Sequence, residues 1–203
     1  MEERLKYIFG LVNDWLKFAE AKIAAIIAFN GAAILALIAA VKDIGHPFIA
    51  YFIVHLTIPG LLIGLAFAFW GIKRQYSKSF VARLPKPSTD DHILFFGDIA
   101  KYEDDKYLDL VYTRSETIKP TTIPLLELDL VCQTIINSRI TLRKYQYANR
   151  ALNITLAALI ISAVTIVPAY YSSVVRAIYT DSLGLDISKY DKSNSDEQKK
   201  PLE

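Results

Sequence analysis

Aromatic and basic side chains alternate through the middle of this chain. Phe95, Phe96, Tyr102 and Tyr107 offer flat faces, and Lys101, Arg114, Arg139, Arg143 and Lys144 offer cations. A small anionic ligand carrying a ring needs both: a face to stack on, and charge-assisted hydrogen bonds for phosphate oxygens. An ordinary small core with solvated edges has the same mixture. Phe95, Phe96, Lys101, Tyr102, Arg139, Arg143 and Lys144 are therefore candidate ligand-binding residues on chemistry alone. A second set lies among apolar neighbours. Asn30, His55, Asn153, Thr155, Ser162 and Thr165 interrupt long uncharged stretches. Such side chains either bond a neighbouring helix or line a path for water, and Ser and Thr can also bond back to their own helix. Asn30, His55, Thr155 and Ser162 are the candidates for a pore or gate.

Other chemistries find little support. Cys132 is the single cysteine, which excludes an intrachain disulfide and a Cys-rich metal site. Glu103, Asp104 and Asp105, with Asp98 and His92, lack the alternating spacing of a calcium loop and read as a solvated turn. Of the three histidines, His46 and His55 lie in or beside the expected membrane spans and His92 in the cytoplasmic segment, so they do not cluster easily. No metalloprotease, nucleophile-elbow, phosphate-loop or dinucleotide motif occurs. The chain is therefore expected to be no enzyme and to carry no cofactor or metal.

The elements that must position these residues are apolar helices. Of the 203 residues, 53% are hydrophobic and 22% charged, but the two classes are segregated. Residues 23–41, 44–72 and 151–175 contain no Asp, Glu, Lys or Arg. A hydrocarbon layer of ~30 Å takes about 20 apolar residues as helix, the form that satisfies its own backbone there. The pattern predicts an all-α membrane protein with three transmembrane helices, helical cytoplasmic stalks and a small cytoplasmic insert. It argues against an ordinary soluble enzyme, a disulfide-stapled secreted domain and a disordered chain. The expected divisions are an N-terminal cytoplasmic helix (1–22), spans at 23–41, 47–72 and 151–173, a cytoplasmic sensor region with a stalk helix (73–150), and an external, partly disordered tail (174–203). The segment between spans two and three holds 13 of the 23 Lys and Arg residues, so it and the N-terminus are placed inside and the C-terminus outside. Trp15, Trp70, Tyr76, Tyr170 and Tyr171 fall near span ends, where amphipathic rings favour the interface.

Two spans should extend beyond the bilayer. Leu5, Ile8, Val12, Trp15, Leu16 and Ala19 form a helical stripe running into span one. Leu128, Val131, Ile135, Ser138, Leu142 and Tyr145 do the same ahead of span three. This predicts rods over about 3–41 and 124–167, so that twisting a stalk would twist a span. Gly45-His46-Pro47 predicts a tight turn, Pro59-Gly60 a kink in span two, Thr89 or Asp90 a cap for a helix over 91–99, 107–111 a short helix or strand, and 113–124 a loop. Small residues at Ala25, Ala28, Ala32 and Ala36, and at Gly60 and Gly64, allow close helix approach, either within a subunit or between copies in a homo-oligomer.

Three blocks of sequence resemble one family. These are Trp15-Leu16-Lys17-Phe18-Ala19-Glu20-Ala21-Lys22 followed by Phe29-Asn30-Gly31, then Asp91 through Tyr102 (DHILFFGDIAKY), then Gln133 through Tyr145 with Ser138 and Lys144-Tyr145. They are similar to the Pycsar transmembrane effectors over most of residues 10–165. The resemblance implies a bacterial antiviral effector of the inner membrane. It also implies a nucleotide second messenger or oligonucleotide, made by a partner nucleotidyltransferase or cyclase, as the signal that opens or closes it. No separate cyclic-nucleotide-binding domain is recognisable, which leaves the ligand open. The expectation is a homo-oligomeric effector or channel gated by that signal. A membrane-anchored adaptor that docks a protein partner, without a pore, is the alternative.

Overall fold

The computed structural model describes residues 1–42, 47–73 and 78–183. The expected Gly45-His46 turn, Tyr76 and residues 184–203 lie outside these. Among the described residues there is no strand. The elements in order are α1 (Glu2–Val41), α2 (Pro47–Phe52), a π-helical turn (Ile53–Thr57), α3 (Ile58–Ile72), α4 (Lys78–Val81), α5 (Phe96–Ile99), α6 (Asp104–Arg114) and α7 (Leu125–Leu183). Among the described residues, three stretches are long and apolar enough to cross a membrane: Glu2–Val41, Ile49–Ile72 and Leu125–Ser172. At helical rise, the 59 residues of α7 extend about 88 Å, far beyond a hydrocarbon layer. Both rods are therefore continuous from the spans into a wetted head, as the periodicity predicts. α7 also continues through Pro168 to Leu183, past the expected end at 167. Where no water competes for the freed carbonyl, breaking the helix costs more than losing one bond.

α1, α3 and α7 pack against one another. α1 and α7 run in the same direction from head to spans, and small side chains let them approach closely. Along α7, Thr134, Thr141, Ala148, Thr155 and Ser162 recur every seven residues, and all are buried. A seven-residue period keeps one face on its partner only if the helices wrap left-handedly. The hydroxyls of Thr134, Thr141 and Ser162 donate to the carbonyls four residues back, at 2.6–2.7 Å, so this stripe buries polar atoms without leaving them unbonded. Span two contributes its glycines. A Cβ on Gly60 would lie 2.8 Å from Ala158 Cβ, and one on Gly64 2.7 Å from Thr155 Oγ1. The glycine face of span two thus packs within the protomer. Ala25, Ala28, Ala32 and Ala36 are exposed on the opposite side of α1. The expected disturbance at Pro59 takes the form of the π turn just before it, with Ile58 N–H donating to Ile53 C=O.

The head has its own core. Leu5, Ile8 and Val12 of α1 meet Ile99, Tyr107, Val111, Val131 and Ile135. Three tyrosines and an arginine anchor the polar chain around it: Tyr102 Oη donates to Ser88 C=O (3.1 Å), Tyr107 Oη to Ile93 C=O (2.7 Å), Tyr112 Oη to the buried Glu127 carboxylate (2.7 Å), and Arg114 to Thr89 C=O (2.6 Å). The expected helix over 91–99 is corrected: only Phe96–Ile99 is helical. Asp91 accepts from Ser88 N–H (2.8 Å), and Asp98 from His92 N–H (3.0 Å). The carboxylates offer the backbone turns in place of a helix ladder. The segment 107–111 is helical, inside α6, and 115–124 is a loop.

Candidate functional site

The aromatic half of the candidate site assembles where α5 meets the two rods. Phe96 is buried and stacks on Tyr145 of α7, with centroids 5.2 Å apart and planes 16° apart. Trp15 of α1 lies 5.7 Å from Phe96 and 6.4 Å from Tyr145. Phe18 stacks on Tyr145 at 6.3 Å, and Phe95 lies 4.7 Å from Phe96. Phe95 is 45% exposed, Trp15 39% and Phe18 58%, so this cluster shows ring surface to solvent. Trp15 and Phe18 also line an open groove with Leu11 and Asp14. The Lys22 ammonium stands 5.8 Å above Tyr145 and donates to Asn149. The Tyr145 hydroxyl is buried with no hydrogen-bond partner among the described residues, and burial pushes its pKa up. Tyr102, grouped with the stacking residues on sequence, is buried in the head core.

Four of the candidate cations take four separate settings. Lys101 is held between Asp91 (2.6 Å) and Asp98 (2.7 Å). Burial opposes ionisation of Asp91, but Lys101 and the Ser88 N–H outweigh it and hold its carboxyl below the usual range. The two carboxylates in turn raise Lys101. Arg139 reaches from α7 to donate to the carbonyls of Ala100 (3.0 Å) and Tyr102 (2.7 Å), so it seals the end of α5. Lys144 pairs with Glu20 across the two rods. Arg143, one residue before Lys144, points elsewhere. Its guanidinium lies over the rings of Phe80 (5.1 Å) and Tyr147 (5.9 Å). The structure therefore brings together Phe95, Phe96, Lys101, Tyr102 and Arg139 around the α5 turn, and sets Arg143 and Lys144 further along α7.

The polar residues of the spans pair with one another. Asn30 is fully buried, and its Nδ2 donates to Thr155 Oγ1 at 2.9 Å. Thr155 Oγ1 also lies 3.0 Å from Asn30 Oδ1. Thr57 and Ser162 share a hydrogen bond at 2.5 Å. Asn30, Thr155 and Ser162 are thus clamps between helices inside the protomer. His55 lies apart from them. It is exposed on the outside of the bundle, stacked on Tyr51 at 4.1 Å, with Nδ1 3.1 Å from Tyr51 C=O. Among the described residues no three His, Cys, Asp or Glu side chains converge as a metal set would.

Composition pointed to Phe95 and Phe96 but missed Trp15, Phe18 and Tyr145. Trp15 and Phe18 sit three apart on α1, which places them on one helix face, and that spacing was the available signal. Their meeting with Tyr145, 130 and 127 positions away in sequence, depends on rod register.

Three comparisons bear on what this arrangement belongs to. A family model described as the Pycsar effector protein domain matches residues 4–169. The Pycsar effector protein PtPycTM of Propioniciclava tarda is 25% identical over 154 residues, covering 75% of this chain and 72% of that protein. No solved structure matches.

Proposed function

From the premise that this chain belongs to the Pycsar effector protein family, and so to anti-phage defence at a membrane, we propose that it is a nucleotide-gated, homo-oligomeric effector of the bacterial inner membrane. In this reading the head and the N-terminus face the cytoplasm and the C-terminus lies outside, as the Lys and Arg distribution favours. The signal is a cyclic nucleotide or oligonucleotide from a partner cyclase or nucleotidyltransferase. Its base stacks on the exposed edge of the Phe95, Phe96 and Trp15 cluster, and its phosphates draw on Lys101 and Arg139 at the α5 turn and on Lys144 further along α7. The protein's role is to perturb the membrane, not to catalyse a reaction.

One observation carries this reading: the cations that suit a phosphate are those that tie the head and rods together. Lys101 holds the turn before α5, Arg139 joins α5 to α7, and Lys144 joins α7 to α1. A phosphate arriving there competes with Asp91, Asp98, Glu20 and two carbonyls. Ligand binding then favours a different rod arrangement, which is the differential affinity a gate requires. Asn30, Thr155 and Ser162 would respond in the membrane as α1, α3 and α7 shift, and His55 would face a neighbouring copy or the gate. The exposed Trp15 and Phe18 groove also fits the second reading, an adaptor that docks a protein partner.

Dye release from liposomes containing only this protein, titrated with a nucleotide panel, separates the two. Release dependent on one nucleotide is expected. Glu20→Gln, which frees Lys144, should lower the nucleotide concentration needed, by up to about fivefold, since a half-exposed pair contributes ~1 kcal/mol or less. Lys144→Gln should raise it. No release with any nucleotide, alongside normal insertion, would favour the adaptor.

A further inference from the structure

Arg143 keeps a donor that nothing in its surroundings uses. Its Nη1 is buried and has no hydrogen-bond partner among the described residues. Phe80 and Tyr147 cover the guanidinium and leave its edge as the part able to bond. Leaving a buried charged donor unmade is costly, so a partner from outside the protein is the natural completion. The side chain lines a cleft between the end of span two and α7, together with Gly71, Lys73, Ile140, Lys144 and Tyr147. Among the described residues no carboxylate lines it. The enclosed space is about 10 Å³, room for one oxygen-sized group. Lys73, where the chain leaves the α3 helix in an extended conformation, is exposed at the mouth.

The depth of the cleft follows from three helices. A Cβ on Gly71 would lie 2.9 Å from Ile23 and 3.1 Å from Tyr147, so these residues share one level. Ile23 opens the uncharged stretch of α1, and span two ends at Ile72. That level is therefore the edge of the hydrocarbon. Arg143 stands one helical turn beyond Tyr147, about 6 Å further out, which is the layer of lipid headgroups.

We propose that this cleft binds a phosphate oxygen of an anionic lipid, with Arg143 as the buried donor and Lys73 as the cation at the mouth. The shared chemistry is a phosphate oxyanion, and a soluble phosphate is the rival source. Position favours the lipid: headgroup phosphates lie at this depth, and basic pockets between spans are where anionic headgroups bind. A nucleotide would find no free ring here, because Phe80 and Tyr147 both face the guanidinium. The bound lipid fastens span two to α7 on the side away from the aromatic cluster. The proposal rests on the membrane spans and not on the nucleotide reading, so either can fail alone.

Spin-labelled phosphatidylglycerol and phosphatidylcholine, each introduced into phosphatidylcholine vesicles containing the full chain, provide the test. The wild type should restrict phosphatidylglycerol about fivefold more strongly than phosphatidylcholine, on the order expected for one cation near an anionic surface. Arg143→Gln should bring the two to parity, and Lys73→Gln, at an exposed position, should reduce the preference without disturbing the fold. Millimolar inorganic phosphate should not displace the lipid. Equal restriction of both lipids by the wild type would mean that the cleft holds only water and would overturn the proposal. Displacement by inorganic phosphate would overturn the lipid as source. If Arg143→Gln fails to insert, an undiminished preference in Lys73→Gln would count against the site.

Discussion

At Asn30 a strongly polar side chain is accommodated at no exposed cost, because Thr155 and Leu61 C=O lie within its reach and Gly64 leaves the space for them. Hydrogen bonds between spans contribute on average ~0.6 and at most about 1.7 kcal/mol, since helices separated in lipid find other partners. Asn30→Leu should therefore lower stability by about 0.5–2 kcal/mol, read as a lower midpoint of thermal unfolding in detergent. Combining it with Thr155→Val should cost less than the sum of the single changes, because the two share one bond. Additive losses would show that the pair does not act as a clamp. The Arg143 prediction also belongs to this scale: it turns on a single guanidinium nitrogen.

Among the elements, α6 ends in an arrangement that the sequence disguises. Thr117 N–H donates to Tyr112 C=O and Glu116 N–H to Thr113 C=O. This paired closure places residue 116 in the left-handed region, at φ 52°. Glycine is the usual occupant there, because a side chain costs about 1–2 kcal/mol in that conformation. Glu116→Gly should stabilise the head by about 0.5–1 kcal/mol, the glycine's extra unfolded-state entropy cancelling part of the gain. Denaturant unfolding followed by Trp15 fluorescence would check this. The misplaced helix over 91–99 has the opposite origin. Thr89 and Asp90 read as helix caps in sequence, but the oxygens of Asp91 and Asp98 that follow are used by Lys101 and by turn N–H groups.

For the molecule as a whole, register along the paired rods is the quantity that matters. The seven-residue stripe on α7 runs unbroken from Thr134 in the head to Ser162 in the span. Polar ties recur beside it: Asn13–Asn137, Glu20–Lys144, Lys22–Asn149 and Asn30–Thr155. One alanine inserted between Asn149 and Arg150, beyond Lys144 and Tyr145, turns the span part of α7 by about 100° relative to the head and takes the two halves of the stripe off one face. Nucleotide-dependent dye release should be lost, with helix content by circular dichroism retained. Seven residues inserted there, matched by seven in α1 between Lys22 and Ile23, leave the aromatic cluster and its cations in place, return the faces to alignment within about 20° and should restore the response. Retention of release in the single-residue variant would mean that the rods do not carry the signal.

The spans, the two rods and the small head were legible in the sequence, because bilayer thickness and helical period act on each segment by itself. Charge-free length marks residues 23–41, 44–72 and 151–175 whatever else the chain does, and the stripes of apolar residues ahead of spans one and three continue those helices outward. The partners of each polar group were not legible. Lys101, Arg139 and Lys144 present the same free cation in a sequence, yet one sits between two carboxylates, one on two carbonyls and one across the rods. Arg143, beside Lys144, turns to a different neighbour. Only the packed structure decides these, because hydrogen bonds and ion pairs act over about 3 Å, and residues more than a hundred positions apart come that close only once the rods have settled into register.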